Sequence, residues 1–300
     1  MATTRWKDNE STNIIEVINK IISPKENLDR YINIHTTKYF EENQTAMFGG
    51  RNITFNYISY SFDFIRFGNE SIEDRTTRNT GFIIVYFNGT SINYIINRNS
   101  DAKRVLRILV GYTGQNEIQE NNIDIKSDFF VWLISKVFKS ENSLIIDEND
   151  KTIVIDTIKG FKGDSADELT KISADGRSVM NIISTLSFIL ESSLLNQIKI
   201  DIEYLNHENI ELILSTRNTI STLLKEYDGD YDEFTIEKHT SFLFLLIYLE
   251  IMPAIYQIYQ IEIENGDWGT SKYREFLNLV AGKLQENVTH KLEQLGVDIE

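Results

Sequence analysis

Residues 81–97, GFIIVYFNGTSINYIIN, constrain the fold more than any other stretch of this chain. Two apolar runs flank Asn88-Gly89, a dipeptide that accommodates the positive φ angles of a type I′ turn. The pattern predicts residues 82–87 paired antiparallel with 91–96 across a two-residue turn. Just upstream, NITFNYISYSFDFIRF (52–67) is β-branched, aromatic and largely alternating, which reads as a strand. Two more hairpins follow: SLIIDENDKTIVIDTI, turning at 147–150, and QIKIDIEYLNHENIELILS.

Helical patterns separate these hairpins. Ser100 is placed to cap DAKRVLRILVG, which closes at Gly111, and Ser127 starts SDFFVWLISKVFK. The loop KGFKGDSADELTKISADG leads to a helix over RSVMNIISTLSFILESS, and TRNTISTLLKEY reads as another helix. Arg98-Asn99-Ser100 and Arg217-Asn218-Thr219 both stand between a strand and an expected helix, which suggests an internal repeat or convergence on good helix caps. The strand-pair-then-helix rhythm predicts an α+β fold. Its sheet is expected to be antiparallel or mixed, built from β-hairpins alternating with helices, with a C-terminal helical region.

Three regions are expected. Residues 1–45 form N-terminal helices, with 11–34 read as two short helices divided at Pro24 and the first striped by Ile14, Ile15, Ile18, Ile21 and Ile22. Residues 46–228 form the hairpin-helix body, and 229–300 a helical region packed on it. Within the last, SFLFLLIYLEIMPAIYQIYQIEI has its apolar run at 242–249, far short of the ~20 residues of a membrane span, and is expected to be a buried core helix. Glu250 lies close to a kink expected at Pro253. The final helix carries an apolar face at Tyr273, Leu277, Val280, Leu284, Val288, Leu292 and Leu295. It packs on the body by default, with self-association along this face as the alternative.

Composition removes several chemistries. The absence of cysteine excludes disulfides, thiol nucleophiles and Cys-based metal sites. The start, MATTRWKDNEST, has no apolar segment of a secretory signal, so a cytoplasmic location without membrane contact is expected. Abundant Ile and Asn, which AT-rich codons favour, point to a low-GC bacterium or its phage. A formal net charge of −15 disfavours nonspecific nucleic-acid binding by the molecule as a whole.

Several acidic stretches have the composition of metal sites. EYDGDYDEF (226–234) places Asp228, Asp230 and Asp232 as the first three ligands of an EF-hand loop. Glu233 and His239 then occupy the positions that need glycine and a bidentate glutamate, so the stretch reads as a helix junction stopped by Gly229. An acid-x-Lys element of a metal-dependent nuclease is available at Asp124-Ile125-Lys126, with Glu117 or Glu120 upstream. Asp147, Glu148, Asp150 and Asp156 lie near Lys151 and Lys159 in the second hairpin. IKGFKGDS has the two glycines of a phosphate-cradling loop but lacks the Gly-Lys-Ser/Thr helix entry of a P-loop. His35, His207, His239 and His290 are scattered. No catalytic residue, metal ligand or cofactor is assigned.

The basic residues are more concentrated. Between 75 and 107 stand Arg75, Arg78, Arg98, Lys103, Arg104 and Arg107 against one acid, Asp101, a local balance of +5. On a helix, Lys103, Arg104 and Arg107 form a cationic ridge opposite buried Leu106, Leu109 and Val110. Such a ridge suits phosphates or an acidic protein face. The sequence reading is therefore a non-enzymatic binding or accessory subunit, bacterial or phage-encoded, engaging a partner protein, a nucleic acid or both. The motif-poor, AT-rich character suggests a role in anti-phage defence. The alternative is a metal-dependent nuclease or phosphodiesterase.

Overall fold

The computed structural model describes residues 2–146, 151–165, 171–175, 187, 189, 190 and 192–294. The chain has an α+β fold and divides into two compact units: Met1–Asn122 with Tyr231–Glu250, and Ile123–Asp230 with Ile251–Glu300.

The sheet of the first unit runs β2 (Tyr31–Lys38), β4 (Arg51–Ile65), β5 (Thr76–Phe87), β6 (Ile92–Ile96), β1 (Ala2–Asp8) and β7 (Ile118–Glu120), all antiparallel. β3 (Gln44–Phe48) pairs with the start of β4. One face of this sheet packs on α1 (Ile14–Ile22) and α3 (Ala102–Val110), around Ile58, Phe62, Ile83, Val85, Tyr94 and Leu106. A short helix, α2 (Ile72–Arg75), links β4 to β5. Part of the other face lies under α5 (Ile236–Leu246), where Phe242 meets Phe55 at 5.3 Å and Phe244 meets Phe82 at 5.9 Å. The buried carboxylate of Asp8 ties the end of β1 to the core. It accepts the hydroxyls of Tyr94 and Tyr112 and the backbone N–H groups of Glu10 and Ser11, so its burial leaves no acceptor idle.

The second sheet runs β10 (Lys171–Asp175), β9 (Thr152–Ser165), β11 (Ser192–Tyr204), β12 (His207–Ser215) and β13 (Thr219–Thr222). β8 (Ser143–Ile145) pairs with β9, and β14 (Asp228–Gly229) with β12. α4 (Ser127–Phe138) contacts β9 and β11. It also stacks Phe129 and Trp132 on Tyr259 of α6 (Met252–Asn265), with ring centroids 5.2 and 5.4 Å apart. Of the final helix, α7 (Thr270–Gln294), Phe276 and Val280 are buried, whereas Val288 is exposed; Leu295 lies outside the described residues.

Several sequence expectations are corrected. The N-terminal region is not all helical: α1 forms, capped by Asn13, but β1 precedes it and β2 replaces the second helix. Tyr31 to Thr37 is rich in β-branched residues, and a bulge with Asn33 at φ 51° puts Tyr31 and Ile34 into the core. TRNTISTLLKEY is not a helix either. Asn218, at φ 57°, turns the chain so that Thr219–Thr222 pairs back on β12, burying Ile220. The second Arg-Asn-Thr junction is thus a hairpin turn, and the apparent repeat is not structural. The glycines of IKGFKGDS lie in paired strand β9, not in a phosphate loop. The 147–150 turn and most of the 177–193 helix lie outside the described residues.

Residues Ile236–Asn265 form one helical stretch long and apolar enough to cross a membrane, with 61% of its most apolar window buried within the protein. A wider π turn at Ile247–Ile251 precedes Pro253, which cannot donate to the Leu249 carbonyl four residues back. Glu250 is engaged by backbone: its Oε2 accepts the Gly49 N–H at 3.0 Å.

The first hairpin forms with one shift. Asn88 donates its N–H to Ser91 O at 3.3 Å, so the two-residue loop is Gly89-Thr90. Of these two, only Gly89 has positive φ, 92°, which is the II′ pattern rather than I′. Asn88 instead accepts the N–H groups of Thr90 and Ser91 on its side chain, at 3.1 and 2.9 Å. A Cβ on Gly89 meets nothing within 4 Å, so Gly89→Val strains only the backbone. The expected loss is about 1 kcal/mol or more, read as a lower denaturant midpoint at unchanged slope. An unchanged midpoint would contradict this turn geometry.

Candidate partner-binding site

β5 is twelve residues long and β6 only five, so their ladder runs from Phe87↔Ile92 to Ile83↔Ile96 and stops. Asn97 stops it. Its Oδ1 accepts the Phe82 N–H at 2.7 Å and the Tyr60 hydroxyl at 3.2 Å, while its own N–H donates to Phe82 O at 3.3 Å. Burial pushes the Tyr60 phenol up to about 12, against the opposing pull of Arg98. The knot requires glycine at 81, where a Cβ would sit 2.3 Å from Asn97 Oδ1 and 2.4 Å from the Tyr60 oxygen. Beyond it, Thr76 to Gly81 keep β4 on one side and, among the described residues, have no strand on the other.

Two recesses border this break. The first, about 520 Å³, is lined by hydroxyls of Thr37, Ser59, Ser61 and Thr80 together with His35 and Arg78. Tyr57 stacks on Phe82 at 5.3 Å as its wall, and Arg78 reaches Ser61 Oγ at 3.3 Å. The second, about 500 Å³, has Tyr31, Phe62 and Phe64 as its aromatic floor, with Asn79, Arg98, Ser100, Asp101 and Arg104 around it. Arg98 donates to both Asp101 oxygens at 2.5–2.9 Å and lies 5.3 Å from the Phe62 ring centroid. Burial disfavours its charge, but the Asp101 bonds outweigh that and raise its pKa. Arg104 pairs with Asp29 at 2.8 Å and lies 5.0 Å from the Tyr31 ring centroid.

The six basic residues therefore do not form one ridge. Arg78 borders the first recess, and Arg98 and Arg104 the second, on opposite sides of the sheet at the break. Arg75 instead braces the β4–β5 connection, donating to the carbonyls of Glu70 and Arg66 at 3.0 and 2.9 Å. Arg107 turns to Glu117, 3.8 Å away, and Lys103 is half-buried on α3. The aromatic floor, Gly81 and Asn97 escaped the sequence reading. Phe62 and Phe64 were visible as alternate strand residues, but which face they share with the arginines is set by register. At the sheet end where β4 finishes and β5 begins, Leu28, Phe67 (82% exposed) and Ile72 are left in solvent, with Arg30 3.7 Å over the Phe67 ring.

The acidic stretches resolve differently. Gly229 ends the short strand β14, not a helix; a Cβ there would lie 2.8 Å from Asn206 O. Asp230 accepts from the Asn206 side chain at 3.2 Å, so EYDGDYDEF is a strand-to-helix connection. Lys126 and Asp124 pair at 3.1 Å on the surface, while Asp147, Glu148 and Asp150 lie outside the described residues. Lys159 contacts Asp201 at 2.7 Å and Glu211 at 3.2 Å, and Lys199 contacts Glu211 at 3.2 Å. Burial opposes the Lys159 charge, yet its bonds to both carboxylates raise its pKa. For Asp201 burial outweighs Lys159, and its pKa also rises. Among the described residues no cluster of three or more His, Asp or Glu side chains is arranged to hold a metal ion.

Comparison of the chain with models of known protein families gives no match, and neither does comparison with curated proteins. Gly81→Ala tests the break itself. Its methyl group would force Asn97 and Tyr60 apart, and a loss of about 1–3 kcal/mol in unfolding free energy is expected, as for overpacking. Stability equal to wild type would mean that Asn97 is not locked against β5.

Proposed function

We propose that this chain is a non-enzymatic binding subunit that holds a partner protein at the break in its first sheet. The observation that carries the reading is the second recess: aromatic rings floor it and arginines rim it, each already accompanied by a carboxylate. Interfaces between proteins favour Tyr, Phe and Arg at their centres. Phosphate-backbone binding instead needs many uncompensated cations, which fits poorly with a net charge of −15. The exposed Leu28, Phe67 and Ile72 extend an apolar surface beside the recess. The most apolar window of the long helix is 61% buried within the protein, as a core helix would be, which fits the membrane-free setting expected from sequence. Affinity purification from the native host, after nuclease treatment, tests this with wild type and Arg98→Ala/Arg104→Glu in parallel. A stoichiometric protein is expected with wild type and lost with the double variant. Equal recovery by a folded variant, or recovery of nucleic acid alone, would contradict it.

The nuclease reading keeps one favouring observation. Asp201 Oδ1 and Glu211 Oε1 are buried without hydrogen-bond partners among the described residues, on adjacent strands beside Lys159 and Lys199. Two carboxylates suffice for Mg²⁺ when substrate phosphate and water complete its shell. Mg²⁺-dependent cleavage of plasmid or RNA that Glu211→Gln abolishes, in a protein still folded, would favour it over the binding reading. Our proposal predicts no such cleavage.

A further inference from the structure

The mode of partner binding follows from the open edge of β5, and rests on the partner-protein reading. The N–H and C=O of Phe82 both point toward Asn97. Strand groups repeat every second residue, so those of Thr80 and Arg78 point the same way, beyond the last rung, where no strand receives them among the described residues. We propose that an extended segment of the partner adds to the sheet here, in the line that β6 vacates. The Thr76 N–H already donates to Glu73 O, so the vacant edge spans four residues, Thr77 to Thr80, or about 13 Å at ~3.3 Å per residue.

Side chains of an added strand alternate between the two sides of the sheet. On one side they meet Arg78 and His35 among hydroxyls, in a recess that no carboxylate lines among the described residues. That side selects an acidic residue. On the other they meet Tyr31, Phe62 and Phe64, where Arg98 already holds Asp101 and Arg104 holds Asp29. That side selects an apolar residue. The occupant is therefore an extended peptide alternating acidic and apolar side chains.

The probe is an acetylated, amidated heptapeptide alternating Glu and Leu, titrated into the full-length protein by NMR and calorimetry. Saturable binding is expected, with the amides of Arg78 and Thr80 shifted and slowed in exchange. N-methylation of the peptide at its edge-facing residues should weaken binding about tenfold or more, the loss of one to two hydrogen bonds. Replacing Glu by Lys in the peptide should do likewise. Thr80→Pro removes an outward N–H and should abolish binding; Arg78→Glu, which leaves the backbone alone, serves if the proline variant fails to fold. Binding that ignores N-methylation but is lost in Arg98→Ala/Arg104→Ala would overturn strand addition while sparing the partner-protein reading. No binding at millimolar peptide overturns strand addition. Displacement of the peptide by a single-stranded oligonucleotide overturns both readings.

Discussion

The side-chain amide of Asn97 decides the shape of the binding face. A sheet strand normally ends where its neighbour turns away, with water taking over the unpaired groups. Here Asn97 caps the final rung with its own carbonyl, and the chain then leaves for α3. Because β4 continues to pair with β5 as far as Thr76, the edge beyond Asn97 is supported on one side and vacant on the other. The arginine that follows, Arg98, is delivered to the aromatic recess by this same exit. One residue thus ends a ladder, sets a glycine requirement at 81 and positions a guanidinium.

Magnitudes separate the ion pairs at the break from those in the second unit. Arg104 and Asp29 are about half exposed, and exposed pairs contribute only about 0–1 kcal/mol. Such a pair adds little to the fold, but it leaves Arg104 no unpaired charge with which to attract a partner's carboxylate. Glu211, 2% exposed, is held by Lys159 and Lys199, and breaking a buried pair costs about 3–5 kcal/mol. Breaking that cluster would therefore cost the fold far more than breaking the exposed Arg104 pair at the break.

The α+β class, the three hairpins, α3 with its Gly111 stop, and the two C-terminal helical stretches were legible because local pattern and tertiary environment agree there. Gly111 sits at φ 84°, the left-handed value a helix stop demands. Legibility failed where a short β-branched run followed a turn residue. Tyr31 to Thr37 and Thr219 to Thr222 carry as much apolar character as a helix turn, and only pairing with β4 or β12 decides for strand. The site was half legible. Arg78, Arg98 and Arg104 stand out as cations in an acidic chain, yet linear proximity also drew in Arg75 and Arg107, whose partners at Glu70, Arg66 and Glu117 come from other elements. Gly81 and Asn97 have no sequence signature at all, since their roles arise from a close approach across strands.

Residue-resolved amide hydrogen exchange on the free protein tests the open edge most directly. Arg78 and Thr80 are expected to exchange rapidly, while Thr77, Asn79 and Gly81, whose N–H groups face β4, and Phe82, held by Asn97, are protected. Protection of Arg78 and Thr80 equal to that of Phe82 would mean that the edge is already occupied, and would contradict the account.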